Sequence, residues 1–350
     1  MPRVFPLKQL LNFLGLSSEK AANPALSRTA GRPSRALIQE AIENVVEGTE
    51  PGIRLVSGYG KKLQHGVAAS LAYLDELVET IPGLVETSSK TFAKDPQVNA
   101  YFASSSELRS IFSQSPELRA FFNDVENNQC QEAYALLCMD ESERTVLGTE
   151  LSGDMIRREV MQTAVNFSEH KILSPATSEA SVRQGLKKCI FDALITRALQ
   201  SIAALKVQKS ELKDQRRILN ARLRARLSQG NGLSTLLAAA HVDQTGLKVI
   251  EEQLAETEQT LKQMPASSNA PLAYLNEVNN ILAHPEAFIK LKMVSLKLTK
   301  MCIKATEETS QACNSIRFAE LDIANVLRRV VVIVRFPRDE MLPRQDTISG

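Results

Sequence analysis

Residues 286–330 read EAFIK LKMVSLKLTK MCIKATEETS QACNSIRFAE LDIANVLRRV, and how they fold decides the class of the whole chain. At the helical period, Leu291, Val294, Leu298, Met301, Cys302, Ala305, Thr309, Ala312, Ile316, Ala319, Ile323, Val326, Leu327 and Val330 fall within about 120° of arc. That stripe predicts a long helix beginning at Glu286, just past His284-Pro285. At a rise of about 1.5 Å per residue it would run about 65 Å.

The stretch before it predicts helices of similar length. Ser178 can cap a helix whose first turn holds Glu179, where the helix dipole favours an acid. Leu205, Leu212, Leu219 and Leu223 share one narrow face up to the Gln229-Gly230-Asn231-Gly232 turn, with Ala198 and Ile202 close by. On the return arm from Ser234 to Met264, Leu247, Ile250, Leu254, Leu261 and Met264 repeat the pattern. A reversal near Gly230 sets Leu212 opposite Ile250, Leu219 opposite Val242 and Ile202 opposite Leu261. The sequence therefore predicts a mainly α protein. Its centrepiece is an elongated antiparallel three-helix bundle over 175–331, built on a coiled-coil hairpin.

Upstream, residues 1–33 read as a short amphipathic helix (Leu7, Leu10, Leu11, Leu14) and a linker with Pro24, Gly31 and Pro33. Residues 34–173 read as a helical globular region with a small β element. A helix is predicted from Ser34 to Glu47. Another runs from Pro51 to Ile81, striped by Leu63, Val67, Leu71, Leu74, Val78 and Ile81 and weakened by Gly58, Gly60 and Gly66. Asp95-Pro96 and Ser115-Pro116 each place a cap before a proline, announcing short helices near 96–103 and 116–125. A further helix is predicted near 128–138, with Cys130, Ala133, Leu137 and Cys138. A hairpin is predicted near 145–156, Val146–Leu151 turning through Ser152-Gly153-Asp154 into Met155-Ile156. Val160–Phe167 fits helix or strand. The β-branched run Val330–Phe336 reads as a strand stopped by Pro337, in need of a partner in the first region, with the hairpin the nearest candidate. Residues 332–350 are thus strand and loose polar tail.

Apolar residues make up 43% of the chain and charged ones 23%, the balance of an ordered globular protein. The net charge of +2 argues against a general nucleic-acid binder, though not against a local basic patch. Cys130, Cys138, Cys189, Cys302 and Cys313 show no metal or redox spacing, which fits reduced thiols in the cytoplasm. No apolar run approaches the ~20 residues of a membrane-spanning helix. Pro6 and Lys8 break the apolar residues of Met1–Leu16, so no secretory signal is predicted.

The search for chemistry returns little. Ser57-Gly58-Tyr59-Gly60-Lys61-Lys62 lacks the phosphate-loop spacing. His65, His170, His241 and His284 have no second ligand one turn away. No nucleophile elbow is present. The chain is read as no enzyme, with no cofactor and no metal. What stands out is charge. Lys206, Lys209, Lys213, Arg216, Arg217, Arg222, Arg224 and Arg226 face only Glu211 and Asp214 in the same stretch. Of these, Lys206, Lys209, Lys213, Arg216, Arg217 and Arg224 share a face beside the leucine seam. The return arm carries Glu251, Glu252, Glu256 and Glu258, so the two arms can pair, as flanking charges do in coiled coils. The function expected is a scaffold or adaptor presenting the bundle to a protein partner or to itself. One alternative is a nucleic-acid or anionic-surface binder using the basic face. The other is a helical membrane-active protein using Met1–Leu16.

Overall fold

The computed structural model describes residues 34–152, 155–230, 244–264, 269–305, 312–323 and 327–343. The predicted N-terminal amphipathic helix and linker lie outside them, as do Val242 and the turn residues 153–154. Ser34 caps α1 (Arg35–Gly48), its hydroxyl accepting from Leu37 N–H at 3.3 Å. A 3-10 turn, Pro51–Leu55, leads to α2 (Tyr59–Glu79) and the short strand β1 (Val85–Glu86). Then come α3 (Ser89–Phe92), α4 (Pro96–Tyr101), α5 (Ser105–Gln114) and α6 (Pro116–Asn123). Side chains of Asp95 and Ser115 accept from the amides of Gln97 and Leu118, as their Pro-preceding positions predicted. Two long strands follow, β2 (Glu132–Ser152) and β3 (Met155–Ala176). The helices α7 (Glu179–Gly230), α8 (Gln244–Gln263) and α9 (Ala270–Ala283) precede β4 (Ile289–Leu298), β5 (Asn314–Ile323) and β6 (Leu327–Pro337).

The chain is not mainly α. A six-stranded sheet in the order β3-β2-β6-β5-β4, with β1 alongside β6, combines with the helices. The expected third long helix, and with it the three-helix bundle over 175–331, is replaced by β4, β5 and the start of β6. The helical stripe was sustained by residues such as Ala305, Thr309 and Ala312, which suit any face. Cross-strand pairing decides instead. Lys290 and Lys292 stand opposite Asp322 and Glu320, while Leu296 stands opposite Ile316 and Val294 opposite Phe318. The helix expected near 128–138 is likewise strand. Ala133, Leu137 and Met139 pair with Phe336, Val332 and Val330. The strand expected over Val330–Phe336 does pair with the first region, at β2 residues 132–139 rather than at the hairpin tip. The predicted hairpin near 145–156 is the far end of a much longer one, registered from Tyr134↔Ala176 to Ser152↔Met155.

Two compact units emerge, one from described residues 70–193 and 284–343, the other from 34–69 and 194–283. In the first, alternate residues of β2 and β6 (Ala135, Leu137, Met139, Val332, Val334, Phe336) pack against Tyr101, Phe102, Phe112, Leu118 and Phe122 of the short helices and their links. Phe112 stacks on Phe336 with centroids 4.5 Å apart. The other face of the pleat carries Leu136, Cys138, Val331 and Ile333, all buried. Toward that side Arg183 of α7 donates to Val78 O at 2.6 Å and Ile81 O at 3.3 Å, tying α7 to the end of α2.

The sheet curls. Phe167 of β3 meets Phe318 of β5 at 5.5 Å although β2 and β6 lie between them in the order. The turn after β4 ties the two edges together. Val165 N–H donates to Cys302 O, Lys304 N–H to Thr163 O and Ala305 N–H to Lys297 O, each at 2.8 Å. Cys302 is therefore a half-buried turn residue at φ 56, not a member of a buried helical stripe. The tail is also less loose than predicted. Glu340 pairs with Arg109 at 3.1 Å and accepts from Ser89 N–H at 3.0 Å, and Leu342 N–H donates to Ser113 Oγ at 2.8 Å.

In the second unit Ile42, Val45, Val46, Ile53, Leu63 and Val67 are buried, together with Leu194, Ala198, Ile202, Leu275, Val278 and Leu282. Gly66 has a packing reason. A Cβ there would lie 2.7 Å from Asn279 Oδ1 and 3.0 Å from its carbonyl, so only glycine admits α9 at this distance.

Candidate functional site

The basic face predicted from the sequence lies on the distal part of α7, a helix of 52 residues. Continuous helix is natural here, because between Glu179 and Gly230 the only glycine before the end is Gly185 and there is no proline. As far as Ile202 the helix contributes to buried cores. Beyond it the character changes. From Ala203 to Leu227 only Leu219 is buried, at 4% exposure, while Val207 (56%), Ile218 (53%) and Leu227 (52%) are open. The predicted seam residues Leu205, Leu212 and Leu223 are half-covered, as are Leu247, Ile250, Leu254 and Leu261 of α8 and Met264 just after it.

The six candidate basic residues do not behave alike. Lys206 is engaged twice within its unit, by the Glu50 carboxylate and by the Tyr274 ring, whose centroid lies 5.2 Å from Nζ. Arg217 stands 3.6 Å from Asp214, one turn before it. Lys209 is half-covered and has an interaction of its own. Lys213, Arg216 and Arg224 are exposed, as is Arg222, and no ion pair is formed by these four among the described residues. A reversal near Gly230 would set Glu256 near Lys206, but the carboxylate that Lys206 meets is that of Glu50. The sequence marked the charges, but the open apolar residues between them carried no signal, because exposure depends on what packs alongside.

A second exposed element is the far end of the β2–β3 hairpin, which the sequence predicted as a hairpin but not as an exposed surface. Past Met139, β2 has lost its β6 neighbour. Leu147 and Met161 stand directly opposite each other at 71% and 75% exposure. At the hairpin's base Arg329 of β6, 14% exposed, pairs with Asp140 and lies 3.9 Å from Glu169. Burial lowers the Arg329 pKa from its ordinary value.

Other ionisable groups have structural partners. His170 Nε2 lies 2.7 Å from Tyr101 O, and the ring stacks on Phe102 at 5.0 Å. A carbonyl only accepts, so Nε2 carries the proton. Burial lowers the pKa of this histidine, against an opposing contribution from the Tyr101 hydrogen bond. His284 stands 3.4 Å from Glu286, and His241 lies outside the described residues. A cleft of about 430 Å³ is lined by Leu84, Tyr134, Ser178, Glu179, Ala180 and Arg183. Its Arg183 is already held by Glu179 at 2.8 Å and by the Val78 and Ile81 carbonyls, and Ser178 Oγ accepts the Ser181 amide. Neither side chain has a base placed to activate it. Among the described residues no cluster of His, Cys, Asp and Glu is arranged to hold a metal, and no helix is long and apolar enough to cross a membrane. No protein family model matches the chain, and neither does any curated protein or solved structure.

Proposed function

We propose that the protein is a non-enzymatic scaffold that presents the distal arm of α7 to a protein partner. One observation supports this reading above others. The arm keeps Val207, Ile218 and Leu227 more than half exposed amid basic side chains, on a helix whose first half has one buried face. Covering such residues at an interface is worth about 1.5–3 kcal/mol each when complete. Paired apolar and basic positions suit a partner with an apolar groove and an acidic rim. The test is affinity capture by the full chain and by an Ile218→Asp variant, at low and at moderate salt after nuclease treatment. A specific protein retained by the wild type at both salts and lost with Ile218→Asp supports the reading. Capture that ignores the substitution contradicts it.

A second reading rests on Lys213, Arg216, Arg222 and Arg224, which form no ion pair among the described residues. They could serve a nucleic acid or another anionic surface. Binding of that kind weakens steeply with salt, with a log–log slope of about −0.9 per phosphate neutralised. No aromatic residue lies among them to stack on bases.

A further inference from the structure

We infer that the open edge of β2 is a self-complementary interface through which two copies of the chain pair their hairpins into one four-stranded sheet. This surface is separate from the α7 arm.

The sheet has edges of different kinds. β4 carries Lys290, Lys292 and Lys297 in ten residues, the charges that guard an edge against addition of another strand. β3 is bulged. The register with β2 slips at three places, each time with an extra residue on β3, and the left-handed residues Glu159 (φ 61), Glu169 (φ 55) and Ser174 (φ 49) sit there. Part of its edge is also taken, at Thr163–Val165, by Cys302 and Lys304. β2 carries charges over its unpaired end (Asp140, Glu141, Glu143, Arg144 and Glu150), but none of the bulges falls on it. It contains no proline and no lysine, and none of its described residues has positive φ. β6 pairs with it only as far as Met139, with Arg329 still reaching Asp140, and from Asp140 to Ser152 no strand is hydrogen-bonded on that side among the described residues. A ribbon of two strands is marginal in water, and a third or fourth strand is what stabilises it.

The direction of the main-chain groups can be read from β3. Val165 N–H donates to Cys302 O, and Thr163 O accepts from Lys304 N–H, so both residues turn away from β2. Their partners Glu143 and Thr145 then belong to non-hydrogen-bonded pairs and point their own N–H and C=O to the open edge. Leu147, two residues on with no register slip between, does the same.

Charge chooses the register. Two copies meeting antiparallel about a two-fold centred on Leu147 place Arg144 of each opposite Glu150 of the other, and Thr145 opposite Thr149. Centring on Glu143 or Arg144 sets a charge against its own copy, and centring on Thr145 sets Asp140 against Glu150. Centres at Val146 or Gly148 pair neither charge. The Leu147 register joins opposite signs twice and sets no like signs opposite among the described residues, whereas centring on Ser142, which also joins Asp140 to Arg144 twice, sets Glu141 against Glu143.

Sedimentation velocity of the full chain tests this. The wild type sediments as a dimer. Arg144→Glu and Glu150→Arg each place like charges opposite and halve the sedimenting mass, while the double variant R144E/E150R reverses the pair and restores the dimer. Thr145→Pro removes an outward amide without touching the β2–β3 ladder, and it too sediments as a monomer with unchanged far-UV circular dichroism. A wild type that stays monomeric as concentration rises overturns the inference. So does a dimer indifferent to the single substitutions or to folded Thr145→Pro, or a double variant that fails to restore what both singles lost.

Discussion

Phe167 on β3 and Phe318 on β5 meet edge to face, centroids 5.5 Å apart and planes at 88°, across a sheet that lists two strands between them. A flat sheet would separate these strands by about 14 Å, three spacings of about 4.8 Å. The contact therefore records the curl that encloses the first core, with Tyr101 adding its own edge to Phe167 at 5.1 Å.

Truncating either ring should loosen that curl. Phe318, fully buried, should cost about 3–5 kcal/mol on replacement by alanine. In a double-mutant cycle with Phe167→Ala the pair should couple by about 0.5–1.5 kcal/mol beyond the area lost. Denaturant unfolding measures both. Strict additivity would mean that the rings do not support one another.

Acid should act through His170. Burial holds its folded pKa below the ordinary value of about 6.5, so on acidification the unfolded chain takes up the proton first. Stability should decline as pH falls through about 6.5 and level off below the folded pKa. Thermal unfolding of His170→Gln, which keeps a donor toward Tyr101 O, should lack this component while sharing the slope from the carboxylates. Parallel curves for the two proteins would count against it.

The thiols should separate by environment. Burial pushes Cys138 up to about 12 and Cys189 up to about 11. Neither should label in the native protein near neutral pH, where thiolate is the reactive form. Cys138, at 7% exposure on the sheet, should label only as fast as the protein unfolds, whereas Cys130 and Cys313, only partly buried, should react first. Rapid labelling of Cys138 would contradict the packing of that face.

The α7–α8 register is open to cross-linking. If the arms reverse near Gly230, cysteines replacing Leu212 and Ile250 should form a disulfide under mild oxidation, and cysteines replacing Leu205 and Ile250 should not, because bridging needs Cα atoms within about 7 Å. Leu219→Ala should cost about 2–5 kcal/mol, with Leu212→Ala costing less, since Leu219 is buried and Leu212 only half-covered. The exposed Lys206–Glu50 pair should contribute under about 1 kcal/mol.

What could be read in the sequence was local. The caps at Asp95, Ser115 and Ser178 were legible because a short oxygen-bearing side chain before a helical pattern has one strong use. The strand before Pro337 was legible from its β-branched run. The segment over 132–139 was not, because Ala135-Leu136-Leu137-Cys138-Met139 is buried on both faces and a continuous apolar run has no period to betray it. The stretch 286–330 failed differently, its two strands of ten residues being short enough for small residues in the linking segment to bridge them into a false helical stripe. At the candidate site the charges were visible, but not the partner of Lys206. Glu50 lies 156 positions away, and only the fold brings it there.

The central claim is that the distal arm of α7 is a binding surface for a protein. The most direct measurement is photo-cross-linking in the native cell from a probe replacing Ile218, compared with one replacing Leu55, which is 83% exposed but off the arm. The account predicts one discrete protein adduct from position 218, resistant to nuclease and absent from position 55. Adducts only to nucleic acid, or the same adducts from both positions, would contradict it.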